Sequence, residues 1–316
     1  MSFAFVFPGQ GSQSIGMLAD FAAESCVRGA FEEASAALGY DLWALIQEGP
    51  AEKLNRTEHT QPAMLAAGIA LWRLWKARGG ADPGEVSGHS LGEFTALVCA
   101  GTLSLSAAAD LVRFRGQAMQ EAVPAGTGAM VAVLGLSDAQ VAACCEQAAQ
   151  GEVVEPVNFN APGQVVIAGA RAAVERAILT CKAAGARRIL PLPLSVPAHS
   201  SLMGPAADRL ESRLLDVKLL PPLIRYVSAV DAAPHSDPDD IRELLVRQLA
   251  SPVCWQDTVR ALAANGHAQI IECGPGKILS GMNRRIEKRT DLACLALEDR
   301  ATLDAALAAT RTAAAA

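Results

Sequence analysis

Val86-Ser87-Gly88-His89-Ser90-Leu91-Gly92-Glu93-Phe94, VSGHSLGEF, runs from a very short apolar strand into an apolar helix through a Gly-x-Ser-x-Gly turn. That pattern, in that strand-to-helix context, is the nucleophile elbow: a serine held on a strained turn so that its hydroxyl is presented at a strand end. Gly88 and Gly92 are small because neighbouring backbone passes close to the turn. The plainer reading is a glycine-flanked serine in an ordinary loop, and the flanking strand and helix favour the elbow.

Working outward, strand and helix signals alternate along the chain, which predicts an α/β layer architecture with a mostly parallel sheet. An apolar strand opens the sequence at Phe3-Ala4-Phe5-Val6-Phe7. Helical patterns follow at residues 21–38, 42–47 and 63–77, the last entered through Gln61-Pro62 and apolar nearly all round, so it should be buried. Further helices are expected at 91–99 and 106–123, and a later strand at Ile270-Ile271-Glu272. Between them the pattern changes. Strands at 128–135, 153–158, 164–169 and 188–194, with helices at 138–150 and 172–184, give the order β-α-β-β-α-β of a ferredoxin-like unit. The expectation is a core of residues 1–125 and 197–300, an inserted small domain at 126–196, and a helix end with a frayed tail at 301–316. Two domains imply a cleft between them, the default place for a substrate.

Composition excludes several function classes. Basic residues are scattered in a chain of net charge −6, which argues against a nucleic-acid footprint over the whole surface. The cysteines show neither Cys-x-x-Cys nor a zinc-site His spacing, so no metal centre is expected and reduced thiols in a cytoplasmic protein are the default. The start lacks a basic, apolar leader, and the longest uncharged stretch, 94–109, falls short of a membrane span, so a soluble protein is expected.

A serine hydroxyl needs a base. His89 adjoins Ser90 in a turn where neighbouring side chains diverge and reads as structural, His235 lies in a solvated turn, and His59 and His267 read as surface residues. His199, in Pro197-Ala198-His199-Ser200, follows the last small-domain strand where the chain returns across the cleft. It is the candidate base, with a buried structural histidine as the alternative. For an oxyanion, the elbow supplies the N–H of Leu91. A second donor, the N–H of Gln10, is expected from Gly9-Gln10-Gly11 at the end of the first strand, a plain glycine-rich turn being the alternative. A dinucleotide reading of that loop is the weaker alternative, because Ser14 stands where a third glycine is required and no acidic residue at a later strand end is placed to take a ribose. Glu272-Cys273-Gly274-Pro275-Gly276-Lys277 likewise lacks phosphate-loop spacing. In the 106–123 helix Arg115 shares an apolar face with Leu111 and Met119, whereas Arg113 lies on the polar face. A buried arginine needs a partner; an internal one would make Arg115 structural, and the lack of one would point to a substrate carboxylate.

Six motifs in order, FPGQGSQ, GHSLGE, RFRGQAMQEA, SVPAHSSLM, VRQLASPVCW and ECGPGK, resemble those of the malonyl-CoA:acyl carrier protein transacylases over nearly the whole chain. The resemblance implies a hydrolase-like core with a ferredoxin-like insert. It implies Ser90 as nucleophile, His199 as base, Gln10 and Leu91 as oxyanion donors, and Arg115 as partner of the malonyl carboxylate. Gln248 would supply a main-chain carbonyl to orient the imidazole. Asn160 and Met119 would face the cleft. The implied chemistry is ping-pong transfer, with a coenzyme A thioester as substrate and no permanently bound cofactor. Carrier proteins are acidic, so a local basic patch is expected despite the net charge; Arg187, Arg188, Arg284 and Arg285 are the candidates, a solvated charged face being the alternative. Competing functions are a serine thioesterase, a sibling malonyltransferase of polyketide synthesis or malonate decarboxylation, and a non-catalytic nucleotide-binding protein.

Overall fold

The computed structural model describes residues 2–193 and 196–315. Its larger sheet has six strands in the order β10-β9-β1-β2-β7-β8, where β1 is Phe3–Phe7, β2 Glu85–Gly88, β7 Arg225–Val227, β8 Pro234–His235, β9 Gln269–Glu272 and β10 Ala293–Ala296. All pairings are parallel except β7 with β8. Strand β1 lies inside the sheet and is buried throughout, so its alternating side chains fill two different cores. Phe3, Phe5 and Phe7 face one cluster, in which the rings of Phe5 and Trp75 lie 5.1 Å apart; Ala4 and Val6 face the other, with Trp255 and Ile270.

Trp75 belongs to the Thr57–Ala77 helix, which begins six residues earlier than the sequence pattern predicts. Pro62 lies inside it and gives up one backbone hydrogen bond. Burial outweighs that loss: Thr57, Thr60 and Gln61 of the opening turns are all enclosed, and Thr60 Oγ1 donates to the Leu54 carbonyl at 2.6 Å.

Strands β3 (Gly128–Leu134), β4 (Val154–Ala161), β5 (Gln164–Ala170) and β6 (Arg188–Pro191) form a second, antiparallel sheet in the order β4-β5-β3-β6. With the helices Asp138–Ala149 and Arg171–Ala183 this is the ferredoxin-like order expected. One face of the sheet carries Val131, Val133, Val165 and Ile167 into a core with these helices; the opposite face, through Met130, Ala132, Val166 and Ala168, joins the main core. The unit is therefore packed into the core of the larger unit rather than tethered to it. A ladder continues the junction, because Phe159 N–H donates to the Val253 carbonyl at 3.0 Å and Val253 N–H to Val157 at 2.9 Å. That contact fixes the segment after Gln248 against β4.

Three expectations need correction. Strand β6 ends at Pro191, and Leu194, the last residue assigned to it from sequence, lies outside the described residues. The frayed tail is a helix, Arg300–Ala315: its alanine-rich run has high helical propensity, and Asp299 Oδ1 accepts from the Thr302 N–H at 2.8 Å as a cap. His267 is buried rather than superficial, with Nε2 2.9 Å from Glu85 on β2. Among the described residues no helix is long and apolar enough to cross a membrane, and no group of three or more His, Cys, Asp or Glu is placed to hold a metal ion.

Candidate active site

Strand β2 ends at Gly88 and the Gly92–Cys99 helix starts four residues later, so the chain reverses within His89-Ser90-Leu91. Ser90 has φ +52°, the left-handed region that a residue with a Cβ adopts only under constraint. The constraint is backbone crowding. A Cβ on Gly92 would sit 2.0 Å from the Phe7 carbonyl oxygen, and one on Gly88 would sit 1.9 Å from the Gly92 carbonyl carbon. A side chain at either position would break the turn that presents Ser90.

The elbow packs directly on the opening loop, where a Cβ on Gly9 would meet the His89 carbonyl oxygen at 2.6 Å. Gln10 is thereby set beside the elbow. Among the described residues neither the Gln10 nor the Leu91 N–H has an acceptor within the chain. Two N–H groups from different strand ends are thus available to a charge developing at Ser90.

His199 comes to Ser90 from 109 residues away, with Nε2 2.8 Å from Oγ. Its own backbone is also left-handed, φ +66°, held by its N–H donating to the Leu249 carbonyl at 3.1 Å. Nδ1 lies 2.7 Å from the Gln248 carbonyl oxygen. A carbonyl can only accept, so Nδ1 carries the proton and Nε2 is left as the acceptor facing the serine.

Arg115 occupies the floor of the site with none of its surface exposed. Nη1 donates to Gln61 Oε1 at 2.9 Å, and Nη2 donates to Gln248 Oε1 at 2.8 Å and to Ser90 Oγ at 3.2 Å. The Phe94 ring lies 5.5 Å from the guanidinium, and Nε is buried with no hydrogen-bond partner among the described residues. No carboxylate forms an ion pair with Arg115 among the described residues. Burial lowers its pKa to about 10, with the Glu93 carboxyl opposing the fall. Arg115 is thus a buried cation whose acceptors, two amide oxygens and the Ser90 hydroxyl, are all neutral, so its charge is left without an ion-pair partner among the described residues.

Residues 4–293 match the acyl transferase domain family. The chain belongs to that family. It is 56% identical to the malonyl CoA-acyl carrier protein transacylase of Salmonella typhimurium over 306 residues, 96% of this chain and 98% of the relative. An acyl carrier protein S-malonyltransferase from Vibrio cholerae superposes with a TM-score of 0.94 at 54% identity, covering 97% of this chain and all of that one. A malonyl-transacylase solved in complex with its type II polyketide acyl-carrier protein superposes with a TM-score of 0.96 at 51% identity, covering 98% and 100% of the two chains.

In this acyl transferase the two less defined cleft positions have firm contacts. Asn160, on β4, places Oδ1 2.8 Å from His89 Nε2 and is nearly closed off from solvent, so it ties the elbow to the smaller sheet. Met119 is buried one turn along from Arg115, and its Sδ accepts from Gln61 Nε2 at 3.5 Å. Sequence reasoning missed Gln61 and Glu93. Glu93 is a charged side chain in the largely apolar Gly92–Cys99 helix, the signal that Arg115 did give, whereas Gln61 follows the polar residues Thr57 to Thr60 of its own helix and gave none. Of the four arginines suggested for carrier contact, Arg187 and Arg285 line one surface cleft with Leu134, Ser137 and Pro162. Arg284 turns elsewhere and donates to the Cys294 carbonyl on β10, while Arg188 is exposed on β6.

Burial and the Arg115 charge together depress the His199 pKa from 6.5 to about 3. Its imidazole is therefore expected to stay neutral at pH 5 in nitrogen-15 histidine spectra, the signal being assigned by its loss in His199→Ala. An imidazolium at pH 5 would mean that the ring is not enclosed as described. The folded pKa is below the unfolded one, so between about pH 6.5 and 3 the unfolded chain binds the extra proton. This group's contribution to stability is complete above pH 6.5 and is lost as the pH falls through that window.

Proposed function

We propose that the protein moves a malonyl group from coenzyme A to the phosphopantetheine thiol of acyl carrier protein through a malonyl-Ser90 intermediate, supplying fatty-acid synthesis. The observation that carries this reading is the buried Arg115 guanidinium, 3.2 Å from Ser90 Oγ and without a carboxylate partner among the described residues. Ser90 attacks the thioester carbonyl while His199 Nε2 takes the hydroxyl proton. The oxyanion of the tetrahedral intermediate is received by the N–H groups of Leu91 and Gln10. Collapse expels the coenzyme A sulfur, to which His199 returns the proton. In the second half-reaction the carrier thiol gives its proton to His199 and attacks the ester, and Ser90 leaves with that proton. Arg115 holds the malonyl carboxylate through both halves.

The test is intact mass after brief mixing with malonyl-CoA and then with acetyl-CoA, followed by peptide mapping. One malonyl group on Ser90, little acetyl adduct, and discharge on adding carrier protein are expected. An unmodified Ser90 with both donors would end the proposal, and rapid loss of the malonyl group to water without a carrier would make the protein a thioesterase. Polyketide synthesis or malonate decarboxylation would use the same catalytic residues and differ only in the acceptor.

We further assign residues 1–125 and 197–300 to a catalytic core and 126–196 to an inserted domain, with the site between them. All eight cysteines are free, which supports a reducing, cytoplasmic setting. Carrier docking is placed at the cleft shared by Arg187 and Arg285. Reversing both charges is expected to raise KM for the carrier about tenfold at low salt, leaving acylation by malonyl-CoA unchanged. An unchanged KM would move the docking face elsewhere.

A further inference from the structure

Ser90 and His199 both sit on left-handed backbone, at φ +52° and +66°. That conformation is costly for a residue with a Cβ and persists only where the surroundings over-determine it. One strand supplies a contact beside each of them. Asn160, on β4, places Oδ1 2.8 Å from Nε2 of His89, the residue before Ser90. Glu155, on the same strand, accepts from the Ser201 N–H with Oε2 and from Ser201 Oγ with Oε1, both at 2.8 Å, two residues beyond His199. Between these two, Val157 and Phe159 make the ladder with Val253, which pins the chain that follows Gln248, whose carbonyl orients the His199 ring.

Five positions apart, Glu155 and Asn160 would point to opposite faces of a regular strand. The pairing of β4 with β5 is irregular between Pro156 and Asn158 and again between Phe159 and Ala161. Irregularities of this kind bend a strand and re-aim its side chains, and here both side chains reach segments that carry the catalytic pair. Neither belongs to the apolar core of the smaller sheet. Fastening the two units together does not account for them either, because the face of Met130, Ala132, Val166 and Ala168 and the Val253 ladder already do that.

We propose that Glu155 and Asn160 are positioning residues: β4 is the common frame to which the turn of the nucleophile and the turn of the base are both registered, and it sets the separation of Ser90 Oγ from His199 Nε2. This rests on Ser90 and His199 being nucleophile and base.

The experiment measures kcat and KM of the full chain with malonyl-CoA and carrier protein, the rate at which phenylmethanesulfonyl fluoride modifies Ser90, and thermal stability. Glu155→Ala and Asn160→Ala are each expected to lower kcat and the modification rate about tenfold, with KM for malonyl-CoA unchanged. Glu155→Gln should recover most of both rates, because its amide oxygen can accept from the Ser201 N–H while its amide nitrogen donates to Oγ. The Glu155→Ala/Asn160→Ala double variant should be about as slow as the slower single one, since the register is lost once either end is cut. Asn160 is buried; should its variants fail to fold, the half-buried Glu155 and its rescue by glutamine carry the test alone. Reduced thermal stability with both rates unchanged, or losses that multiply in the double variant, would make the two contacts mere scaffolding and overturn the proposal. A Ser90 that takes neither the sulfonyl nor the malonyl group in the unaltered protein would instead remove the nucleophile reading, and this one with it.

Discussion

Ser90→Ala is expected to abolish the covalent acyl-enzyme and to lower transfer to carrier protein by a factor on the order of 10⁶, and His199→Ala should lower it by a similar factor. The two losses should not add. Oγ and Nε2, 2.8 Å apart, act as one unit: without the imidazole the hydroxyl keeps its proton, and without the hydroxyl the imidazole has nothing to activate. A Ser90→Ala/His199→Ala double variant should therefore be no slower than either single one. Any residual rate would come from binding and from the two oxyanion donors. Intact mass distinguishes the singles, because Ser90→Ala has no site to acylate whereas His199→Ala should acylate slowly at the same residue. Independent, multiplying losses would show that Ser90 and His199 serve different steps and that the 2.8 Å contact is incidental.

Gln248 explains why no acidic third member could be found by spacing. The group that orients His199 is its main-chain carbonyl, 2.7 Å from Nδ1, and every residue except its own position in the fold is silent about such a role. A neutral orienting group also fits the low pKa of the imidazole, since a carboxylate there would hold the ring protonated. The base is kept free by burial and by Arg115, and binding of a malonyl carboxylate would offset the Arg115 charge and make the ring more basic when substrate is present. With Arg115 as the malonyl partner, substrate recognition and base strength would be coupled through one guanidinium.

What could be read from sequence follows from how local each determinant is. The elbow is local, since Gly88, Ser90 and Gly92 announce the turn, and the backbone crowding that requires those glycines is what the structure shows. The β-α-β-β-α-β order is local too, because each element carries its own periodicity. Strands β7 and β8 were not foreseen: at three and two residues they are too short for a pattern, and β7 matters for what it hands to Glu93 across 133 residues. The start of the Thr57–Ala77 helix was missed because Pro62 is a local stop signal overridden by tertiary burial. His267 was misplaced for the same reason in reverse, its polar surroundings in the sequence being replaced by Glu85 from a strand 182 residues away. Gln61 was read only as the entry to a helix, yet it is one of the two amides that hold Arg115.

Arg115→Ala is the second large expected effect, and its direction depends on the acyl group. With malonyl-CoA the substrate carboxylate would meet only the neutral groups that surround Arg115, the amides of Gln61 and Gln248 and the Phe94 ring, with no cation to pair with. An unpaired buried charge costs about 3–5 kcal/mol, so a loss of roughly 10²- to 10⁴-fold in kcat/KM is expected. With acetyl-CoA there is no carboxylate to lose. Removing the guanidinium deletes a charge that depresses His199, so the imidazole becomes a stronger base. It also removes the Nη2 donor held 3.2 Å from Ser90 Oγ, which frees a lone pair on the nucleophile. Acetyl transfer should therefore be preserved or improved while malonyl transfer collapses. A lysine does not restore the pattern, because a single ammonium cannot satisfy the amides of Gln61 and Gln248 and grip a carboxylate bidentately as the planar guanidinium does. Parallel loss with both donors would mean that Arg115 only braces Gln61 and Gln248, and that its buried Nε, unpaired in the fold, is incidental to the choice of acyl group.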